Sequence, residues 1–262
     1  MSDAPEFATG PGSETSRRPD YSIVVPFYNE SANAAALLAE INEVMAQISP
    51  SYEVVMVNDG SSDATVEILS AVAAAHPQCR LLNLSPNRGQ ASALYHGLKA
   101  ATAPLIITMD GDGQNCPADI PALLDKLRDA DMVVGIRMNR QDTWLRRQIS
   151  RLANAVRSRI LGDGVSDSGC ALKVFRREVV NAFVPIRTLY SFMPALAVAA
   201  GFRVKQAPVT HRARGGGKSS YGLMVFLWRP LLDLLGVWWF CRRRFPENTS
   251  ESRANGSPQR GS

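Results

Sequence analysis

With 262 residues, 45% of them hydrophobic and 20% charged, the chain can bury one substantial core and has the make-up of a single α/β domain. Its net charge of +5, from 29 Lys and Arg against 24 Asp and Glu, is a mild basic excess suited to acidic lipid surfaces or phosphorylated substrates, and the lack of a basic-aromatic array argues against a nucleic-acid partner. Cys79, Cys116, Cys170 and Cys241 show no paired metal spacing, and only His76, His96 and His211 accompany them, which argues against zinc and for reduced thiols in a cytosolic setting.

Residues 1–19 are rich in Ser, Pro, Gly and charge and lack the apolar core of a signal peptide, which predicts a disordered tail; residues 245–262 have the same character. Between them, strand-like and helical runs alternate. Tyr21 to Pro26 reads as a strand leading into Phe27, Tyr28, Asn29 and Glu30, with Pro26 expected to stop strand pairing and turn the chain. Leu37, Leu38, Ile41, Val44, Met45 and Ile48 follow a helical stripe. Glu53 to Asn58 reads as a second strand ending in Asp59, Gly60, Ser61, Ser62 and Asp63, and Val66, Ile68, Leu69 and Val72 predict a helix capped by Ser62 or Asp63. Asn87, Arg88 and Gly89 precede a helical run through Leu94 and Leu98, and the apolar run Leu105 to Met109 leads directly into Asp110, Gly111 and Asp112. Repeated strand-then-helix order implies parallel pairing, and neither an internal repeat nor a long linker divides the body.

In open α/β sheets, ligands bind beyond the carboxyl ends of the strands, where the strand order reverses. The polar residues cluster where that rule wants them. Asp110 and Asp112 place two carboxylates at the mouth of a buried strand, a pair suited to Mg²⁺, which is usually held by one or two carboxylates plus the phosphates of a substrate. An acidic turn explains a lone D-x-D equally well. Glu30 and Asp59 could accept hydrogen bonds from a ribose or base; as alternatives, Glu30 is a helix-start residue favoured by the dipole and Asp59 an ordinary turn residue. No G-x-G-x-x-G follows the first strand, which argues against a dinucleotide oxidoreductase.

Four motifs in order, VVPFYNE at 24–30, VNDGSSD at 57–63, NRGQASAL at 87–94 and DGDGQ at 110–114, resemble family 2 glycosyltransferases of the GT-A fold. The resemblance implies a nucleotide-diphospho-sugar transferase fold over residues 20–222, a mainly parallel sheet flanked by helices. It implies nucleotide-sugar binding by Pro26, Tyr28, Glu30, Asp59, Asn87, Gly89 and Asp110. It further implies Asp112 as the more direct metal ligand, Asp110 as a nucleotide or metal contact and Gln114 as an additional metal-site oxygen, with Mg²⁺ or Mn²⁺ as the ion. Gly111 and Gly113 are expected to let the loop adopt positive φ at little steric cost.

In the second half, Gly135, Ile136 and Arg137 follow a strand, and Trp144 to Arg151 begin a helix. Arg146 and Ser150, four residues apart, share one helical face and could contact one phosphate together, although a charge run is more often a solvated face. The arrangement looks like the acceptor-phosphate site of polyprenyl-phosphate glycosyltransferases, the branch containing dolichol-phosphate mannosyltransferases, with Arg137, Arg146 and Ser150 at matching positions. Asp167 to Arg176 resembles that branch's D-x-x-S-G-x-x-x-F-R region loosely, leaving Asp167 as a loop cap or a border of the acceptor site. His211 to Tyr221 resembles its H-R-x-R-x-x-G-x-S-K-Y segment, with Ser220 where Lys is usual. That likeness implies Arg212, Arg214 and Lys218 as acceptor-phosphate residues on a loop closing over the donor diphosphate, with a basic surface loop as the alternative.

Leu223 to Phe240 is apolar but carries Arg229, Pro230 and Asp233, and a charge near mid-bilayer costs about 2.5 to 3.5 kcal/mol on insertion scales, so a plain spanning helix is disfavoured. An amphipathic helix in the membrane interface is expected over residues 223–244, with Trp228, Trp238 and Trp239 at the surface and Arg242, Arg243 and Arg244 meeting anionic headgroups. A helix packed on the domain or at a dimer interface is the alternative.

The expectation is metal-dependent, inverting transfer of a sugar from a nucleotide-diphosphate sugar to an undecaprenyl- or dolichyl-type phosphate, by a peripheral or monotopic enzyme at the cytoplasmic face of the membrane. Asp112, Arg137 and Arg146 would carry catalysis, with homo-oligomerisation left open. A phosphate acceptor is already ionised near neutral pH, so positioning and charge stabilisation outweigh a general base. A family 2 transferase acting on a saccharide hydroxyl, a non-catalytic membrane-associated scaffold and a nucleotidyltransferase are the alternatives.

Overall fold

The structure, a computed structural model, describes residues 18–138, 144–213 and 229–244. Strands β1 (Tyr21–Phe27), β2 (Tyr52–Asp59), β3 (Cys79–Leu84), β4 (Leu105–Thr108), β5 (Met132–Met138), β6 (Lys173–Arg176) and β7 (Val204–Thr210) form one sheet. Helices α1 (Ala34–Ile48), α2 (Thr65–Ala75), α3 (Gln90–Ala100), α4 (Ile120–Lys126), α5 (Trp144–Leu161), α6 (Leu189–Ala199) and α7 (Arg229–Arg243) flank it. The sheet order is β3-β2-β1-β4-β6-β5-β7. Pairing is parallel throughout except at β6, which runs antiparallel to both β4 and β5.

The central strands are buried on both faces, which is why they read as unbroken apolar runs rather than alternating ones. Ile23, Val25, Val54, Met56 and Ile107 share one core with Leu38, Ile41 and Met45 of α1 and Leu123 of α4. Val24, Val55, Val57 and Ile106 point the other way, into a core with Leu94 and Leu98 of α3 and Phe192 and Leu196 of α6. The strand order reverses between β1 and β4, and that switch point is where an open sheet leaves a crevice.

Two local expectations change. Pro26 does not end β1, since the strand continues through Pro26↔Val57 to Phe27↔Asn58. Pairing with β4 has already stopped at Val24↔Thr108, so a residue without an N–H is tolerated where one neighbour has left the sheet. The second correction concerns α2, which starts at Thr65 with Ala64 in the cap position; Asp63 still serves the helix end by accepting from Thr65 N at 3.0 Å.

Helix α7 packs on the domain through one face, the alternative to a helix lying wholly in the membrane interface. Its Leu234 and Val237 are buried against the α6-side core, and Asp233 Oδ2 accepts a hydrogen bond from Thr188 Oγ1 at 2.7 Å. Its outer face leaves Leu232, Leu235 and Trp239 exposed by 70%, 56% and 57%. Leu223 to Trp228 lie outside the described residues.

Glu53, at the start of β2, ties the edge of the sheet together. Its Oε1 accepts from Ser22 Oγ at 2.7 Å and from Thr102 N and Oγ1 at 2.6 Å each, while Oε2 meets Arg80 Nη2 at 2.8 Å. Burial pushes this carboxyl up, but the hydrogen bonds from Ser22 and Thr102 and the charge of Arg80 outweigh it and hold it below its ordinary 4.5. Glu53→Ala should cost about 1.5–3 kcal/mol in urea unfolding. The wild-type advantage should be complete above pH 4.5 and fade as pH falls through the depressed value, so the two stabilities converge in acid. A gap that stays constant with pH would refute the electrostatic account.

Candidate functional site

The crevice is assembled from the loops that leave β1, β2 and β4 and from the last residues of β5. The first two are knitted to each other: Asn29, held at φ 54°, donates its N–H to Ser61 Oγ at 3.0 Å and accepts from Ser62 N at 2.8 Å. Glu30 N donates to Thr65 Oγ1 at 2.9 Å, and its carboxylate accepts from Asn33 Nδ2 at 2.7 Å. Glu30 is thus fixed between the start of α1 and the start of α2, with Tyr28 exposed beside it.

Asp59 is 2% exposed and shapes the turn ahead of α3. Its carboxylate accepts from Arg88 N at 2.9 Å and Gly89 N at 2.8 Å, while its carbonyl accepts from Asn87 Nδ2 at 2.9 Å. Asp59, Asn87 and Gly89 therefore act as one unit, although 30 residues separate the carboxylate from the glycine. The glycine supplies φ 92° at the position just before α3.

The acidic loop begins where β4 parts from β1. Met109 N still donates to Val24 O at 3.2 Å, and Asp110 N then turns to Asn115 Oδ1 at 3.3 Å. Asp110 Oδ1 accepts from Gln90 Nε2 of α3 at 2.6 Å, and Asp112 Oδ1 accepts from Gln114 N at 3.1 Å. Gly113 takes φ 73° as expected, but Gly111 is required for a different reason. A Cβ there would lie 2.5 Å from Phe27 Cδ1 and 2.7 Å from Pro26 O, so the loop sits directly on the end of β1.

Burial and then the neighbouring Asp112 charge push the Asp110 carboxyl up to about 6, against the pull of Lys173, Gln90 and Arg137. Two carboxylates this close carry a surplus of negative charge that a cation would relieve. Among the described residues no group of three or more His, Cys, Asp and Glu forms a metal cage. The donor set of two carboxylates and an amide oxygen fits Mg²⁺ or Mn²⁺ completed by water and diphosphate, since such ions are usually held by few protein ligands.

Across the crevice, Arg137 lies inside β5, one residue before its end rather than after the strand as the sequence suggested, and is gripped by Asp167. Its Nε and Nη2 meet Asp167 Oδ2 and Oδ1 at 2.9 and 2.8 Å, and its backbone N donates to Oδ2 at 3.1 Å. Asp167, left open between cap and site border by the sequence, is what orients this guanidinium. Lys173, which sequence reading passed over, is 1% exposed and donates to Cys170 O. Burial lowers its pKa, and Asp110 and Asp167 are among the charges that oppose this. The one signal for it was a lysine placed directly before the apolar pair Val174 and Phe175.

Arg146 and Ser150 lie in the first half of α5, with their side chains outside what the structure describes. Arg214, Lys218 and Ser220 also fall outside the described residues. Arg212 is brought to the acidic loop, where both its terminal nitrogens contact Glu40 at 2.7 Å.

The sequence profile of Glycosyl transferase family 2 matches residues 22–183, a span holding every loop described above except the segment around Arg212. The chain belongs to glycosyl transferase family 2. It is 40% identical over 209 residues to the undecaprenyl-phosphate 4-deoxy-4-formamido-L-arabinose transferase of Edwardsiella ictaluri, a match covering 79% of this chain and 64% of the relative. It is 37% identical over 229 residues to the dodecaprenyl-phosphate galacturonate synthase of Rhizobium johnstonii, covering 85% of this chain and 68% of the other. The match to the Aeromonas hydrophila arabinose transferase, 37% over 206 residues and 78% of this chain, spans only 63% of that relative's length.

Among solved structures, glucosyl-3-phosphoglycerate synthase from Mycobacterium tuberculosis has a TM-score of 0.62 at 16% identity, covering 85% of this chain and 80% of that one. A mannosyltransferase from Pyrobaculum calidifontis, in complex with GDP-Man and Mn²⁺, has a TM-score of 0.57 at 22% identity, covering 78% and 59%. At these identities the likeness bears on fold alone, and the fold is the GT-A type. Gly111→Ala should lower stability by about 1–3 kcal/mol in thermal unfolding, because the added methyl overpacks against Phe27. An unchanged melting temperature would show that the acidic loop is not seated on β1.

Proposed function

We propose that the chain transfers a sugar from a nucleotide-diphosphate sugar to a polyprenyl phosphate, in a metal-dependent and inverting reaction at the cytoplasmic face of the membrane. The observation that carries this reading is the facing of two unlike groups at one end of the sheet: the acidic Asp110–Asp112 loop and the oriented guanidinium of Arg137. Support for the acceptor comes from the relatives, which are named for undecaprenyl phosphate and dodecaprenyl phosphate. Support for the metal comes from the Mn²⁺ and UDP bound in a structural neighbour.

Asp110, Asp112 and Gln114 would hold Mg²⁺ or Mn²⁺, which when bound neutralises charge on the departing nucleoside diphosphate. Pro26, Tyr28, Glu30, Asp59, Asn87 and Gly89 enclose the donor, with Asp59 holding the turn and Glu30 pinned between α1 and α2. On the acceptor side, Asp167 presents Arg137, and Arg146 and Ser150 stand four residues apart in α5. An ionised phosphate oxygen attacks the anomeric carbon as the bond to the nucleoside diphosphate breaks on the opposite face, which inverts the centre. No strong base is needed, because the arginines lower the cost of bringing two anionic groups together.

Attachment to the membrane through residues 223–244 belongs to the same reading. Helix α5 packs beside α7, and its Leu152, Val156 and Ile160 are exposed by 68%, 45% and 39% and recur at one-turn spacing. Arg242 lies over the Trp238 ring at 4.8 Å and Arg243 over Trp239 at 5.7 Å, placing cations beside the apolar face as anionic lipid would favour. Among the described residues no helix is long and apolar enough to cross a membrane.

Asp112→Ala should abolish metal-dependent donor binding, whereas Arg137→Ala and Arg146→Ala should each weaken use of polyprenyl phosphate by about 1.5–3 kcal/mol and leave donor binding nearly intact. Transfer assays with radiolabelled nucleotide-sugars, Mn²⁺ and polyprenyl phosphate measure both effects. Wild-type turnover of Asp112→Ala would refute the metal role, and equal acceptor kinetics in both arginine variants would refute the phosphate site.

Replacing the exposed pair Leu232 and Trp239 by Asp should strip the protein from anionic liposomes while changing its stability by no more than about 0.5 kcal/mol, as for other surface substitutions. Undiminished sedimentation with the liposomes would exclude this face as the attachment site.

A further inference from the structure

The stretch that leaves β7 is strapped onto the acidic loop. His211 forms an isolated antiparallel bridge with Asn115, Arg212 N donates to Gln114 O at 2.9 Å, and Thr210 N donates to Asp119 Oδ2 at 2.7 Å. Asn115 is itself bound to the acid pair, since its Oδ1 accepts from Asp110 N at 3.3 Å. The Arg212 side chain closes the strap. Nη1 and Nη2 meet Glu40 Oε2 and Oε1 of α1, both at 2.7 Å, and Nη2 also contacts Cys116 Sγ at 2.9 Å. One guanidinium thus joins the first helix, the acidic loop and the end of the last strand, bridging a separation of 172 residues.

A part-exposed ion pair adds at most about 1 kcal/mol to stability, so fold stabilisation is a weak account of this arrangement. What a bidentate guanidinium–carboxylate pair fixes well is geometry, because both partners are planar and two parallel bonds leave little freedom. What it fixes here is the Cys116 side chain and, through the main chain of Arg212 itself, the backbone carbonyl of Gln114, both just beyond Asp112. With both terminal nitrogens committed to Glu40, the side chain is turned toward α1 and the loop.

We infer that Arg212 is a positioning residue rather than a phosphate ligand: paired with Glu40, it locks the loop bearing Asp112 and Gln114 and thereby sets that loop's affinity for a divalent cation. The inference rests on reading that loop as the metal site. Outer-shell partners of metal ligands commonly change affinity by about 10- to 100-fold, which makes the effect measurable.

The experiment compares the full chain with Glu40→Ala, Arg212→Ala and the double variant, using Mn²⁺ alone as the probe in calorimetric titration and hydrogen exchange of residues 112–116 as a second readout. Each single change should weaken Mn²⁺ binding about tenfold, the lower end of the outer-shell range. The double variant should be no weaker than either single one, because both remove the same interaction. Exchange across 112–116 should quicken in all three. Wild-type Mn²⁺ affinity in Glu40→Ala alongside a loss in Arg212→Ala would overturn the inference, since Arg212 would then act through its own charge. Unchanged exchange in every variant would overturn the strap itself. Failure of the wild-type chain to bind Mn²⁺, with exchange quickened in the variants, would instead overturn the reading of the loop as a metal site while upholding the strap.

Discussion

Ionised groups taken out of water must be compensated by one another, and that requirement organises one end of this sheet. Three carboxylates, Asp110, Asp112 and Asp167, gather there with two cations, Arg137 and Lys173. Asp167 and Arg137 answer each other through a two-pronged contact, and Lys173 is buried within reach of the same charges. The uncompensated remainder falls on the Asp110–Asp112 pair, where burial and then the Asp112 charge raise the Asp110 carboxyl to about 6. The negative surplus is thus confined to the loop that opens onto the crevice, while the opposite wall keeps its guanidinium in a fixed orientation.

The sheet creates room for this by unequal strand length. β1 pairs with β2 as far as Phe27 but with β4 only as far as Val24, so the chain leaving β4 swings out beside a strand that is still running. Antiparallel β6 then brings its first residue, Lys173, opposite Thr108 at the very end of β4. A wholly parallel sheet would have put the carboxyl end of that strand there instead. The single reversed strand is therefore what delivers a buried cation to the carboxyl edge.

Much of this was legible from residue order alone, for identifiable reasons. Strands buried on both faces appear as solid apolar runs, and acidic residues at or just after their ends, such as Glu30, Asp59 and Asp110, point to the end of the sheet where the strand order reverses. Pro26 misled because its meaning depends on whether the neighbouring strand is still present at that level, which is a matter of register. Gly111 looked like a conformational glycine when its constraint is contact with a ring 84 positions earlier. The role of Asp167, the burial of Lys173 and the pairing of Arg212 with Glu40 depend on partners 30 to 172 residues away, and no local pattern carries such distances. The reversed direction of β6 was equally invisible, since a four-residue strand with a cation at each end reads the same both ways.

The seating of Gly111 on Phe27 also makes those two positions share one volume. The space that a side chain at 111 would need is already filled by the phenyl ring, whose Cδ1 lies 2.5 Å from where a Cβ would stand. In a close-packed interior neither can grow unless the other shrinks. Chains of this fold that carry a larger residue at the middle of the acidic triplet should therefore carry a smaller or differently turned one at the end of the first strand, and the two positions should exchange bulk as a pair.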